Sequence, residues 1–225
     1  MTYTFLVLNL FIFLIPFVLL LDRKVSGVEN LKYIVLPSFI VTFIVSEVAV
    51  FLTGVKAWSF NSDYLVGVSY RGLPLEEYIF IFAFSFAGLG IYNYLNAKFP
   101  NNDLQKYSLA VSNLMIGIGI AFLFFGHTKW YTLIIFAFLL LLLFGVEYIN
   151  RIRFMYRFYR TFLVMLLPFY GIYVFMCNLP IVQYDTAQNV RISLAKVPLE
   201  NYFLMMTILL LAVYSFEIIK SRRKV

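Results

Sequence analysis

Apolar residues run along this chain in seven long stretches, each close to the 20 residues that a helix needs to cross a bilayer core. They are roughly Tyr3 to Leu21, Tyr33 to Thr53, Leu75 to Leu95, Tyr107 to Phe125, Tyr131 to Tyr148, Thr161 to Cys177 and Leu199 to Ile219. The expected fold class is all-α, a polytopic membrane bundle of seven transmembrane helices with little chain left for a soluble domain. The first stretch has no basic segment ahead of it and no small-residue cleavage site behind it, so it is read as a retained helix rather than a signal peptide. Composition agrees: 63% of the 225 residues are hydrophobic and 13% charged, against about 25% charged in a soluble domain.

Two of the apolar stretches open on the same pentapeptide pattern, Pro74-Leu75-Glu76-Glu77-Tyr78 and Pro198-Leu199-Glu200-Asn201-Tyr202. A carboxylate inside a membrane helix costs roughly 2.5–3.5 kcal/mol near the bilayer centre and less toward the interface, so it usually serves a purpose. Proline followed by glutamate is also an ordinary helix opening, since proline's missing N–H and fixed φ suit the first position and the helix dipole steadies the acid. A shift of 124 residues lays one motif on the other without a gap and places Phe60-Asn61 on Tyr184-Asp185. This predicts two parallel three-helix units, residues 1–100 and 131–225, joined by a linking helix within 101–130.

Charge orients the chain. Sorting the eighteen Lys and Arg residues by loop puts thirteen on one side, among them Arg23, Lys24, Lys98, Arg151, Arg153, Arg157, Arg160 and Arg223, and five on the other: Lys56, Arg71, Lys129, Arg191 and Lys196. The positive-inside rule then places the N-terminus outside and the C-terminus inside. The net charge of +7 is thereby read as lipid anchoring and not as nucleic-acid binding. The four arginines from Arg151 to Arg160 are expected to form a snorkelling inner rim.

Few residues could carry chemistry. Cys177 is the single cysteine and His127 the single histidine, which excludes an intrachain disulfide and cysteine or multi-histidine metal cages; no metal site is expected. Glu76, Glu77 and Glu200, with Glu47 in the second helix, form a set of acids in the outer half of the bundle. Adjacent helix positions differ by about 100°, so Glu76 and Glu77 cannot both face the same groove squarely; one should point inward and the other sideways, and correspondence with Glu200 selects Glu76 as the inward acid. A carboxylic acid in an apolar cavity holds its proton near neutral pH and can protonate a weak base such as an alkene. Trp58, Phe60, Tyr64, Tyr78, Phe80, Tyr184, Tyr202 and Phe203 cluster around the motifs; their faces can stabilise a cation, or simply anchor helices at the interface. Gly117, Gly119, Pro16, Pro37 and Pro168 read as close packing and kinks.

At these residues the chain resembles the cofactor-independent carotenoid cyclases, the small membrane lycopene cyclases found as heterodimers or tandem fusions. The resemblance spans most of the chain. It is carried by the first helix ending in Asp22-Arg23-Lys24, by Gly54-Val55-Lys56-Ala57-Trp58-Ser59-Phe60-Asn61-Ser62-Asp63-Tyr64-Leu65-Val66-Gly67, and by Leu73-Pro74-Leu75-Glu76-Glu77. In the second half it is carried by Pro180-Ile181-Val182-Gln183-Tyr184-Asp185, Ala187-Gln188-Asn189 and Val197-Pro198-Leu199-Glu200-Asn201-Tyr202-Phe203. The chain departs from the usual family pattern at Ser46-Glu47, Gln183, Asp185, Gln188 and Asn201, the last of which removes an acid from the second unit.

The resemblance implies a redox-neutral, acid-catalysed cyclisation of the ends of a lycopene-like polyene, with no cofactor. Glu76 is the implied acid, Glu200 the acid or base of the second unit, and Glu77 an assistant. Asn201 and the aromatic residues would contact the substrate. Expected partners are the lipid bilayer, the lipophilic polyene and other carotenoid enzymes, and the expected location is multi-pass in a bacterial cytoplasmic membrane. A proton-coupled or small-molecule carrier using the same acids, and a non-catalytic membrane partner of carotenoid enzymes, remain open.

Overall fold

The computed structural model describes residues 3–19, 21–22, 31–150 and 152–222. Arg23, Lys24, Arg151 and Arg223, assigned above to the inner side, lie outside the described residues. Seven helices follow in order: α1 (Thr4–Leu19), α2 (Leu31–Gly54), α3 (Leu75–Lys98), α4 (Gln105–Gly126), α5 (Trp130–Phe144), α6 (Met155–Asn178) and α7 (Leu199–Arg222). The α5 helix runs on as a π turn over Gly145–Ile149. Among the described residues six of these segments are long and apolar enough to cross a membrane, and α1 is apolar but shorter at 16 residues. A 24-residue helix is about 36 Å long, enough to span a core of about 30 Å with some tilt. The protein is a multi-pass, all-α integral membrane bundle.

The central helices are α3 and α7, whose apolar windows are 67% buried, whereas α4 is peripheral at 22%. Helix α3 packs on α1 and α2, and α7 on α5 and α6; α2 crosses to α7, α3 to α6, and α3 meets α7. Small residues allow the close crossings. A Cβ on Gly88 would come 2.5 Å from Leu209 on α7, and one on Gly90 2.7 Å from the Pro16 ring on α1. In α4 the expected packing role holds for Gly119, against Leu140, but nothing lies within 4 Å of a Cβ on Gly117. That glycine faces away from its neighbours, a direction spacing alone does not reveal.

Between the helices lie short strands that apolar patterning does not predict. β1 (Trp58–Phe60) pairs with β4 (Val182–Tyr184), β2 (Ser69–Tyr70) with β3 (Leu73–Pro74), and β5 (Ser193–Leu194) with β6 (Val197–Pro198), all antiparallel. The last two are hairpins closed by two residues, Arg71-Gly72 and Ala195-Lys196, each with positive φ (53° and 81°; 49° and 67°). That is the turn whose twist matches paired strands. Its strand ends in the proline of each Pro-Leu-Glu motif, so the hairpin aims the chain directly into α3 or α7.

The shift of 124 residues carries the bounds of α2 onto α6, of α3 onto α7 and of each hairpin strand onto its counterpart. In the β1–β4 pair the register sets Ser59 opposite Gln183, with Trp58 opposite Tyr184 and Phe60 opposite Val182. The pairing is thus centred on two residues that are themselves 124 apart.

At the opposite end the basic residues are tied down. The Arg160 guanidinium donates to the Phe99 carbonyl and to Asn96 Oδ1, both at 2.8 Å, and Arg157 Nε to Asn102 Oδ1 at 3.0 Å. These contacts hold the α3–α4 loop against α6 and carry helical structure back to Met155, well before the expected start near Thr161. The described arginines therefore do more than snorkel.

Candidate functional site

Each hairpin hangs from the glutamate that follows it. Glu76 Oε1 accepts the Val66 N–H at 2.5 Å, and Glu200 Oε1 accepts the Val190 N–H at 2.8 Å. Both residues are buried, at 1% and 0% exposure, and the donors are again 124 residues apart. The Leu75 and Leu199 N–H groups donate back to Val68 and Ile192 carbonyls at 2.9 Å. A buried loop N–H without a partner costs about 1–3 kcal/mol, so the duplicated glutamate plays a structural part by closing the loop onto the helix. In each carboxylate the second oxygen, Oε2, is buried with no hydrogen-bond partner among the described residues.

The surroundings differ between halves. Glu200 Oε1 also accepts the Thr132 hydroxyl of α5 at 2.7 Å. Beside Glu76 lies Asn9 of α1, whose amide donates at 2.7 Å to the Glu76 main-chain carbonyl and leaves its own oxygen buried and unpartnered.

The following position divides them further. Asn201 is fully buried and satisfied on both sides: its carbonyl accepts from the Tyr131 hydroxyl, and its amide donates to the Tyr184 oxygen at 2.5 Å. Trp58, Tyr131 and Tyr184 form a triangle of rings with centroids 5.3, 6.2 and 5.8 Å apart. Burial holds the Tyr184 phenol well above its ordinary pKa, so it stays neutral. Glu77, the counterpart of Asn201, is 9% exposed and makes no side-chain hydrogen bond or ion pair among the described residues. The shift explains why: Tyr184 corresponds to Phe60 and Tyr131 to Val7, neither of which can serve it. The Tyr131 and Tyr173 hydroxyls lie within electrostatic reach of Glu77.

An aromatic wall runs down from this point. Phe5 meets Phe60 and Phe80 at 6.4 and 6.0 Å, Phe80 meets Tyr173 at 5.7 Å, and Phe169 joins Tyr173 to Tyr202 at 4.4 and 5.2 Å. These rings come from α1, β1, α3, α6 and α7 and form one continuous set of aromatic contacts.

Not every expected residue arrives here. Glu47 is exposed and bonds Arg71 at 2.5 Å on the outside of the bundle; α2 turns that position outward, so it is not one of the buried acids. The Tyr78 hydroxyl donates to the Tyr70 carbonyl at 3.1 Å in an exposed setting, and Tyr64 sits in a 3-10 turn at Ser62–Tyr64, apart from the ring triangle. Tyr131, Thr132, Asn9 and Tyr173 carry no signal in the sequence pattern. Two more buried acids lie at the basic end, Glu217 accepting the Tyr92 hydroxyl at 2.7 Å and Glu147 within reach of the Ser112 hydroxyl. No cluster of metal-ligating side chains occurs among the described residues, and His127 ends α4, exposed, with Nδ1 2.9 Å from the Phe124 carbonyl.

No curated protein and no solved structure matches this chain. The lycopene cyclase family matches residues 1–95 and 128–219, which include both Pro-Leu-Glu motifs, both hairpins, the helices α1 and α5, and all but the last turn of α3 and α7, which carry the two carboxylates. Covering well over half of the sequence, that match makes this chain a member of the lycopene cyclase family.

Proposed function

We propose that this chain closes a ring at the end of a lycopene-like polyene, with Glu77 as proton donor and Glu76 as base. The carrying observation is the contrast between Glu77 and Asn201. Asn201 is held by two tyrosines, whereas Glu77 is buried and makes no side-chain hydrogen bond or ion pair among the described residues. A neutral carboxylic acid in such a place is suited to give its proton to an alkene.

In the reaction the Glu77 proton adds to the terminal C=C and leaves a tertiary carbocation. The internal alkene attacks it, forming the ring C–C bond and a second cation. Loss of a ring proton to the Glu76 carboxylate, through its unpartnered Oε2, restores a double bond. Nothing is oxidised or reduced and no cofactor is consumed; proton exchange between the two acids resets the pair. The aromatic wall of Phe80, Tyr173 and Phe169 supplies electron-rich faces to the cation, and a dry interior prevents its capture as an alcohol.

In this reading the molecule consists of two parallel three-helix units joined by α4, with the N-terminus outside and the C-terminus inside. The coincidence of helix bounds under one shift supports the first part, and the thirteen-to-five distribution of Lys and Arg supports the second. Because the second unit has Asn201 in place of an acid, the first unit carries the chemistry.

The test is pigment analysis after expression in lycopene-accumulating cells. Conversion to ringed carotenoids is expected; unchanged lycopene alongside normal membrane insertion would overturn the reading for that substrate.

A further inference from the structure

Glycine adopts positive φ without steric cost, and other residues do so reluctantly. In the first half glycine stands at two such positions, Gly67 (91°) and Gly72 (81°). Their counterparts in the second half are Arg191 (62°) and Lys196 (67°). Two long cations therefore occupy backbone sites that favour glycine. Strained backbone persists where the surrounding structure holds it and clusters at binding and active sites.

Both cations line a cavity of about 500 Å³ beside Tyr184 and Pro198. The first half has a counterpart of about 640 Å³ beside Trp58 and Pro74, where Gly72 replaces Lys196 and the charged lining residues are Lys56 and Asp185, which balance. The second cavity has two cations and no carboxylate in its lining. Lys196 has no hydrogen bond or ion pair among the described residues. Arg191 uses only Nε, toward the Thr186 carbonyl at 3.1 Å, and its two terminal nitrogens remain free among the described residues. Of the other cations at this end, Arg71 is engaged by Glu47 and Lys129 by the Asn189 carbonyl at 2.7 Å, while Lys56 shares its cavity with Asp185.

We propose that the Arg191–Lys196 cavity binds a phosphate group at the membrane surface. The guanidinium can take two phosphate oxygens side by side and the ammonium a third. The cavity sits where α6 ends and α7 begins, at the boundary of two membrane spans, and its volume has room for a headgroup as well as the phosphate. An anionic phospholipid headgroup and free phosphate share this chemistry. The site is independent of ring formation at Glu77, and its failure would leave that reaction untouched.

The experiment measures binding of phosphatidylglycerol and of inorganic phosphate, each alone and in competition, to the full chain in neutral detergent by native mass spectrometry. The variant is R191G/K196G, which installs the residues of the first half, relieves positive-φ strain and keeps the fold. Its binding should be weaker by ~30-fold, equivalent to about 2 kcal/mol at tenfold per 1.4 kcal/mol. Lipid binding that survives excess phosphate assigns the headgroup; phosphate that binds alone and displaces the lipid, with the same sensitivity to R191G/K196G, assigns the free ion. Unchanged affinity in R191G/K196G, or an equal loss in the charge-matched control K106Q/K220Q at the far end, overturns the site.

Discussion

Ser59 and Gln183 stand opposite each other at the centre of the β1–β4 pair, and each is the other's counterpart under the 124-residue shift that also aligns α2 with α6 and α3 with α7. The two halves are thus stitched together at equivalent points. Flanking bonds keep the symmetry: the Asn61 N–H donates to the Ile181 carbonyl and the Asp185 N–H to the Ala57 carbonyl, both at 3.0 Å. This seam sets the ring of Trp58 against Tyr131 and Tyr184 from the other half, so the ring triangle beside Asn201 is built partly by the opposite half.

Glu77→Gln should lower ring formation in lycopene-accumulating cells by about 10²–10⁴-fold, the usual worth of a positioned acid. Glu76→Gln keeps an oxygen to accept the Val66 N–H, so it should insert normally while losing its function as a base. Chromatography of extracted pigments checks both, with membrane-fraction immunoblots as the control. Wild-type conversion by Glu77→Gln would remove Glu77 as the proton donor.

Glu200→Ala should destabilise the protein, because the Val190 N–H and the Thr132 hydroxyl lose their acceptor. Each buried donor left unpaired costs about 1–3 kcal/mol. The melting temperature in detergent should fall clearly, and Glu200→Gln, which retains an accepting oxygen, should recover most of the loss. Equal melting temperatures for all three proteins would show that these bonds contribute nothing.

Gly72→Ala isolates backbone strain. A Cβ there meets nothing within 4 Å, yet φ is +81°, so the cost is the left-handed conformation alone, about 1–2 kcal/mol. Lys196→Gly at the matching turn should gain stability. Opposite shifts in thermal unfolding check the pair; a stable Gly72→Ala would mean that the hairpin changes its turn.

Asn201→Asp restores an acid to the second half. Aspartate can accept from the Tyr131 hydroxyl, and from Tyr184 once that hydroxyl turns to donate. A larger share of two-ringed product is expected, read from the ratio of one-ringed to two-ringed pigments. No change in that ratio would count against any chemistry in the second half.

Glu47→Gln should leave ring formation and thermal stability close to wild type, since an exposed ion pair contributes little. A large loss of activity with intact expression would return Glu47 to the site.

The membrane spans are legible because lipid leaves the backbone no partner but itself, which forces long apolar helices that can be counted along the chain. The duplicated Pro-Leu-Glu motif is legible for a related reason: one turn and helix opening used twice leaves the same residues at the same spacing. What the motif does is not. Correspondence with Glu200 singles out Glu76 as the inward acid, but both glutamates hold a loop N–H, and it is the unmatched Glu77 that lacks partners. Thr132 and Tyr131, which serve the second half, correspond to Leu8 and Val7, so no repeat could disclose them. Glu47 and Gly117 are misplaced for want of direction, because a helix that is apolar all round does not announce which face is inside.

By itself the sequence determined that this is a multi-pass membrane helix bundle of the lycopene cyclase family, and where two acids stand at equivalent positions. Those properties are local: they depend on runs of apolar residues and on a motif of five. Only the tertiary structure decided which acid is satisfied and which is not. A hydrogen bond to Val66, a tyrosine pair around Asn201 or an arginine beside Glu47 depends on where turns and neighbouring helices bring other segments of the chain, and no run of apolar residues fixes that.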